Sequence, residues 1–329
     1  MIKMNKLESL AITSLLFLAG CASNNSYLAS RNIVLNNKTY SVRQNELKQE
    51  TNHFDQIKFG VVSDIHNKIE KAEKVAERFK KIEGLDAIII AGDTAKTFLS
   101  LINFNEKKQI KDSLIPFLEI GKPVYVIAGN HETKNAYFSV MKRLAKQYDN
   151  LFDLATLKYA DLKGVNIFGV SGGNPSPIGG FSLEREINNV DNTVFNLDKD
   201  PVLMITHLPP RFNHSKAIDC IYDVKKESGR IIKNRHKGEK AIYKERGIKR
   251  INPRNRGEGG LRSLIINWVD FSISGHYHLN EGANNLYKNI LPGTFVYKLF
   301  MNPGACQYNM AGILTIKGDK AKYELLRMD

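Results

Sequence analysis

Long apolar runs, cysteine and acidic side chains are all scarce in this 329-residue chain. A membrane-spanning helix needs about 20 apolar residues, and the apolar run at residues 10–18 (LAITSLLFL) is too short for one. Only three cysteines occur, Cys21, Cys220 and Cys306. No disulfide framework can carry the fold, and Cys220 and Cys306 sit in no metal-ligand or nucleophile spacing, so two free or buried thiols are expected. Asp and Glu number 34 against 48 Lys and Arg, a formal charge of +14. That balance says nothing about fold, but it favours anionic partners such as phosphate esters, nucleic acid or anionic lipid headgroups. Internal repeats are absent. With 42 % hydrophobic residues over this length, a sizeable core can form.

The first residues read as a targeting segment. Lys3 and Lys6 precede the apolar run, the pattern of a secretory signal. Leu18-Ala19-Gly20-Cys21 resembles the bacterial lipoprotein lipobox. That resemblance implies loss of residues 1–20, an acylated Cys21 as the mature N-terminus and a membrane-anchored exported protein. Ala22 in the next position resembles outer-membrane sorting in bacteria with two membranes. Loss of Lys3, Lys6 and Glu8 would take the charge from +14 to +13. Residues 21–54 are rich in Asn, Ser, Lys and Gln and read as a tether, apart from a strand or hairpin near residues 33–42.

From residue 55 one domain is expected to run to the end. Strands are expected at 57–63, 86–91 and 123–128, alternating with helices at 68–82, 106–120 and 135–148, which argues for βαβ units in a mostly parallel sheet. Ile88-Ile89-Ile90 is the continuous apolar run of a strand covered on both faces. Residues 151–162 and 165–170, divided by Lys163-Gly164, read as a hairpin. A strand at 201–206, a helix at 261–268, a strand at 270–274 and a hairpin of 310–316 with 322–326 complete the pattern.

Short polar motifs end several of these strands: Asp64-Ile65-His66, Gly92-Asp93, Gly129-Asn130-His131-Glu132, His207 and Gly275-His276-Tyr277-His278. Ligands of such sheets collect beyond the carboxyl ends of the strands, and nitrogen and oxygen donors gathered there suit a two-metal hydrolytic site. Each motif has a plainer reading. Asp64 or Asp93 could cap a helix, Gly129-Asn130 could form a tight turn, and His207 could be a buried, hydrogen-bonded histidine. His53, His214 and His236 match no motif and read as surface residues.

Taken in order, the five segments resemble the calcineurin-like metallophosphoesterase superfamily, over about residues 57–306. Asn302-Pro303-Gly304 resembles a loop that often follows the last motif. The resemblance implies a four-layer α/β/β/α sandwich binding two divalent ions (Mn, Fe, Zn, Co or Ni). Asp64, His66 and His278 would hold one ion, Asn130, His207 and His276 the other, and Asp93 would bridge, as a carboxylate with two oxygens can. A metal-bridging hydroxide would attack phosphorus, and His131 would assist the leaving group.

Two departures narrow the substrate. Protein phosphatases of the superfamily extend the second motif to G-D-x-x-D-R-G, whereas here Thr94-Ala95-Lys96-Thr97-Phe98 follows. A diester or nucleotide is therefore favoured over a phosphoprotein. Residues 211–262 then form a long insertion with 16 Lys and Arg against 6 Asp and Glu. Part of it, 217–234, reads as helical, and 233–256 reads as a loop or lid recruiting nucleic acid, a nucleotide or anionic lipid. Arg211, Arg254 and Arg256 are its candidate phosphate contacts. Two rival functions stay open: a non-catalytic surface lipoprotein that binds nucleic acid or lipid through this insertion, and a hydrolase of non-phosphate esters.

Overall fold

The computed structural model describes residues 31–35, 38–43, 46–49, 55–96, 105–190, 200–225, 231–232, 249–278 and 280–328. The expected signal segment, Cys21, His53 and His236 lie outside them.

The strands in chain order are β1 (Arg31–Leu35), β2 (Lys38–Arg43), β3 (Glu46–Gln49), β4 (Ile57–Val62), β5 (Ala87–Ala91), β6 (Val124–Ile127), β7 (Leu151–Asp153), β8 (Tyr159–Leu162), β9 (Val165–Val170), β10 (Val202–Thr206), β11 (Cys220–Lys225), β12 (Ile231–Ile232), β13 (Lys249–Asn255), β14 (Phe271–Ile273), β15 (Gly282–Asn284), β16 (Asn289–Ile290), β17 (Leu299–Asn302), β18 (Met310–Lys317) and β19 (Lys320–Arg327). The helices are α1 (Ile69–Lys80), α2 (Glu106–Leu118), α3 (Lys134–Leu144), α4 (Leu183–Asn188) and α5 (Gly259–Asn267).

Two sheets pack face to face in a mixed α/β sandwich. One has six strands in the order β19-β18-β4-β5-β6-β7, the other ten in the order β1-β2-β3-β8-β9-β10-β14-β17-β15-β16. The run Ile88-Ile89-Ile90 shows why the sequence builds this. Successive side chains on a strand point to opposite faces. Ile89 therefore joins Phe59, Tyr125, Leu203 and Phe271 in the core between the sheets, while Ile88 and Ile90 pack on Val75, Phe79, Leu114 and Val140 of α1, α2 and α3. A third cluster covers the outer face of the ten-stranded sheet, where Phe168, Met204 and Phe300 meet Leu261 and Ile265 of α5.

Strands β4, β5, β6 and β7 are parallel, as are β9, β10, β14 and β17. Their carboxyl ends meet at one end of the sandwich, and that is where the polar motifs stand.

Three expectations are corrected. The hairpin expected near residues 33–42 is present as β1 and β2, but it and β3, read as tether, extend the ten-stranded sheet, with Tyr40, Val42 and Leu47 buried in the core between the sheets. Their apolar residues are few, but alternation places them on one face. Residues 217–234 contain no helix among those described. Here β11 pairs with β12 and β13 in a three-stranded sheet of its own, because a chain segment with a strand partner buries apolar residues that a solitary helix would leave exposed. Residues 151–162 divide between two sheets: β7 closes the six-stranded sheet, and β8 forms the expected hairpin with β9 across Lys163-Gly164. Within the insertion, 226–230 and 233–248 lie outside the described residues. Cys220 and Cys306 are free and buried.

Candidate metal centre

The site begins with backbone conformation. Asp64, His66, Asp93 and His276 all have positive φ, at 55°, 48°, 55° and 66°. Such values are uncommon outside glycine and persist where surrounding bonds over-determine them. Here the loops after β4 and β5 interlock: Asp64 N–H donates to Gly92 O at 3.1 Å, His66 N–H to Asp93 O at 2.9 Å and Asn67 N–H to Thr94 O at 3.0 Å. The sharp turns aim both carboxylates at one point.

Glycine makes that approach possible. A Cβ on Gly129 would fall on Asp93 Oδ1 and lie 2.5 Å from the Asp93 amide nitrogen; one on Gly275 would lie 2.6 Å from Asp64 Oδ2. The glycines of the third and fifth motifs thus seat the aspartates of the second and first.

The seven expected ligands and His131 converge. Asp64, His66 and His278 form one donor group, Asp93, His207 and His276 a second, and His66, Asp93 and His131 a third that overlaps both. In the first, His278 Nε2 is 3.1 Å from Asp64 Oδ1 and 3.2 Å from His66 Nε2. In the second, His207 Nε2 is 3.1 Å from Asp93 Oδ2 and 3.0 Å from Asn130 Oδ1, and Asn130 Oδ1 is also 3.0 Å from His276 Nδ1. The groups are laced together, since His276 N–H donates to the Asp64 carboxylate at 3.0 Å.

Asp93 spans the groups through a single oxygen. Its Oδ2 lies 3.6 Å from His66 Nε2 and 3.1 Å from His207 Nε2, while Oδ1 accepts the His131 N–H at 3.0 Å. The other oxygen is thus held by a backbone amide. His131 sets its Nε2 3.7 Å from the same Oδ2.

The donor set fits a cation. His207 Nδ1 is 2.9 Å from Ala91 O, a carbonyl that can only accept, so Nδ1 carries a proton and Nε2 faces the site, holding a second proton when no metal is bound and offering a lone pair once a cation displaces it. Asn130 Nδ2 donates to Pro175 O at 2.9 Å, which turns Oδ1 inward. Three atoms able to bind a cation, His207 Nε2, Asn130 Oδ1 and Asp93 Oδ2, therefore face one another, and a positive charge between them is what satisfies all three. The electrostatics agree. Burial opposes ionisation of Asp64 and Asp93, but His278 beside the first and His207 beside the second hold both carboxyls below their usual range. Burial likewise disfavours charge on His207, yet Asp93 and Asp64 lift it to about 9. His276, desolvated and next to His207, falls to about 3.

Several supporting residues escaped the sequence reading. Glu132 is fully buried and clasps two motif loops: Oε1 accepts from Ala95 N–H at 2.8 Å and Thr94 Oγ1 at 3.1 Å, and Oε2 from Gly129 N–H at 2.7 Å. Burial and the nearby Asp93 push its carboxyl up to about 7. Ser63 donates to Asp64 Oδ2 at 2.7 Å. Asn302 gives the Asn302-Pro303-Gly304 loop its task, since Nδ2 donates to Tyr277 O at 3.1 Å and Oδ1 accepts from Gly304 N–H at 2.8 Å. Gln307 places its side-chain amide 3.3 Å from His278 Nδ1 and donates its own N–H to Asp64 O at 3.1 Å. Glu132 was visible as the fourth letter of its motif; Gln307 had no sequence signal.

Among the described residues the basic insertion reaches the site where Tyr277 Oη donates to Arg256 O at 2.8 Å. Arg211 and Arg256 are exposed, but the Arg254 guanidinium is engaged by Asp223 at 2.7 Å. His214 is half-buried rather than on the surface.

Comparison with known proteins follows the same line. The TT1561 protein of Thermus thermophilus has a similar fold at 13 % identity, with a TM-score of 0.52, covering 82 % of this chain and 98 % of that one. The phosphopantetheinyl hydrolase PptH of Mycobacterium tuberculosis aligns at 12 % identity with a TM-score of 0.36, over 77 % of this chain and 91 % of its own. No curated protein matches the chain. The calcineurin-like phosphoesterase family matches residues 57–280, a span that holds every residue of the candidate site from Asp64 to His278, and the chain belongs to that family.

Proposed function

We propose that the protein hydrolyses a phosphate ester, a diester or nucleotide in preference to a phosphoprotein, at a centre for two divalent ions. The convergence of His207 Nε2, Asn130 Oδ1 and Asp93 Oδ2, three atoms able to bind a cation and held inward by partners on their far sides, carries this reading. Asp64, His66 and His278 would hold one ion and Asn130, His207 and His276 the other, with Asp93 between them. Two such ions supply a water of lowered pKa and neutralise phosphoryl oxygens.

The chain's own residues do the rest. The crossed hydrogen bonds among the loops after β4, β5 and β14 keep the ligands from moving apart, so little reorganisation is needed when charge develops. His131 has its amide fixed by Asp93 and its ring edge-on to His66, with centroids 4.7 Å apart. Desolvation lowers its pKa despite Asp93. The ring is therefore mostly neutral near pH 7, and its N–H would assist a leaving oxygen by donating a hydrogen bond to the charge that develops there. Arg211 and Arg256 are placed to draw an anionic substrate toward Tyr277. The non-catalytic alternative would use the insertion alone and needs none of this donor geometry.

The test is turnover of bis-p-nitrophenyl phosphate with Mn²⁺. Asp93→Asn should lower kcat at least 1000-fold and His131→Ala roughly 100-fold or more. Tight metal binding with no turnover of diester or monoester would move the function to binding.

Export is also part of the proposal: cleavage before Cys21, acylation there and retention at a membrane, the outer one where there are two. Labelled fatty acid should enter the parent protein and spare Cys21→Ser. Equal labelling would refute the anchor.

A further inference from the structure

Among the described residues nine large apolar side chains are exposed, and six of them, Ile266, Trp268, Tyr287, Leu291, Phe295 and Tyr297, fall in two short segments. Topology brings these segments together. Trp268 precedes β14 and Tyr297 precedes β17, and those strands run parallel with Phe271 opposite Leu299. Lys298 locks the junction, its Nζ donating to Ile265 O at 3.0 Å and Val269 O at 2.9 Å. Tyr287 lies in the turn joining β15 to β16, and Val296 pairs with Ala321. Ala321 is level with Ile316, and Ile316 with Ile57, the first residue of β4.

Each of these points lies level with the amino end of a parallel strand, β4, β14 or β17. The metal centre occupies the carboxyl ends of the same strands, so the patch lies at the opposite end of the sandwich. Its exposure is large: 82 % for Tyr287, 76 % for Leu291, 60 % for Tyr297 and 53 % for Trp268. The segment is also held in place, with Gly293 N–H donating to Tyr323 O and Val296 N–H to Ala321 O, both at 2.9 Å. A groove of about 630 Å³ runs along residues 285–298.

Charge surrounds the rings. Lys320 Nζ stands 4.6 Å from the Tyr297 ring centre and Lys322 Nζ 5.5 Å from that of Phe295. Segments 285–298 and 317–324 carry Lys288, Lys298, Lys317, Lys320 and Lys322 against Asp319 and Glu324. Trp and Tyr bodies with polar tips, flanked by lysines, are the composition that settles at the headgroup layer of a bilayer. Phosphate headgroups complement the lysines, at about a fivefold gain in binding for each.

We infer that this end of the molecule docks on an anionic lipid surface. Trp268, Tyr287, Leu291, Phe295 and Tyr297 enter the headgroup layer, while Lys288, Lys317, Lys320 and Lys322 meet lipid phosphates. Lys298 stays with the end of α5. Docked this way, the metal centre faces away from the membrane, toward soluble substrates. The surface uses no residue of the basic insertion (211–262) and does not need an acyl chain on Cys21.

Trp268 is the only tryptophan of the chain, so tryptophan fluorescence reports this patch and no other part of the protein. Full-length Cys21→Ser protein, which lacks the acylation site, is titrated with vesicles of phosphatidylcholine alone or mixed with phosphatidylglycerol. Expected are a blue shift of the emission with the anionic vesicles and quenching by brominated acyl chains. Lys288→Gln with Lys320→Gln should weaken partitioning roughly 30-fold, and Tyr287→Ser with Leu291→Ser at least tenfold. Unchanged emission with anionic vesicles overturns the inference, even if the protein binds them by another region. A shift that grows with protein concentration without lipid assigns the patch to a second copy of the chain and overturns it as well.

Discussion

His278 Nδ1 and the Gln307 amide lie 3.3 Å apart, and which end of the amide meets the ring decides what the ring can do. With Nε2 of the amide toward Nδ1, the ring accepts there, and its own Nε2–H donates to Asp64 Oδ1. With Oε1 toward Nδ1, the ring donates there and its Nε2 offers a lone pair to a cation, the arrangement usual for histidine ligands. Gln307→Met, which fills the space without either polar end, should weaken one of two Mn²⁺ sites about 10- to 100-fold in calorimetric titration. Gln307→Glu, which can only accept, should bind at least as tightly as the parent. Equal losses in both variants would show that Gln307 merely fills space. Nothing in the sequence marks Gln307, because its partner is 29 residues away and the two meet only through the short turn Cys306–Tyr308. Asp93 differs. Its Gly-Asp motif at a strand end was legible, yet which of its oxygens faces the histidines depends on the His131 amide, a contact across 38 residues.

At the scale of elements, periodicity was informative wherever a strand or helix had one clear buried face. Residues 57–63, 68–82, 86–91, 106–120 and 123–128 were legible for that reason, and α1 accordingly buries Ala72, Val75, Ala76 and Phe79 along one stripe. Strands β1 to β3 were harder to read. They are short and polar between their buried positions, and only pairing with β8 shows that Leu47 faces the core. Leu47→Ala should therefore destabilise the protein by about 2–4 kcal/mol in urea unfolding, where a tether residue would give no measurable change. The insertion failed as a reading for a related reason. Lys and Arg support helices in isolation, but β11 is held by β13 through partners such as Ile221↔Arg254 and Asp223↔Ile251, some thirty residues apart. Residues that distant are invisible to a window of local sequence.

For the whole molecule, the metal centre joins the two sheets. Asp64 and Asp93 follow strands of the six-stranded sheet, His207 and His276 follow strands of the ten-stranded one, and bound ions would link the halves. Ligands that bind only the folded state stabilise it by mass action, about 3 kcal/mol at a hundredfold excess over Kd. Mn²⁺ should therefore raise Tm by several degrees, a chelator should reverse the rise, and Asp93→Asn should abolish most of it. Insensitivity of Tm to both treatments would deny the site a metal. Among the described residues no helix is long and apolar enough to cross a membrane.

The sequence by itself determined the family, the strand-helix alternation and the residues that gather at the candidate site, because each depends on residue type and short spacing: a Gly that permits close approach, an Asp or His one step past an apolar strand. Tertiary structure alone decided which oxygen of Asp93 faces the histidines, that Gln307 attends His278, that residues 31–49 belong to the sheet, and that six exposed apolar side chains gather opposite the site. Those features rest on contacts between residues far apart in the chain, which form only when parallel strands align all their carboxyl ends on one side and all their amino ends on the other.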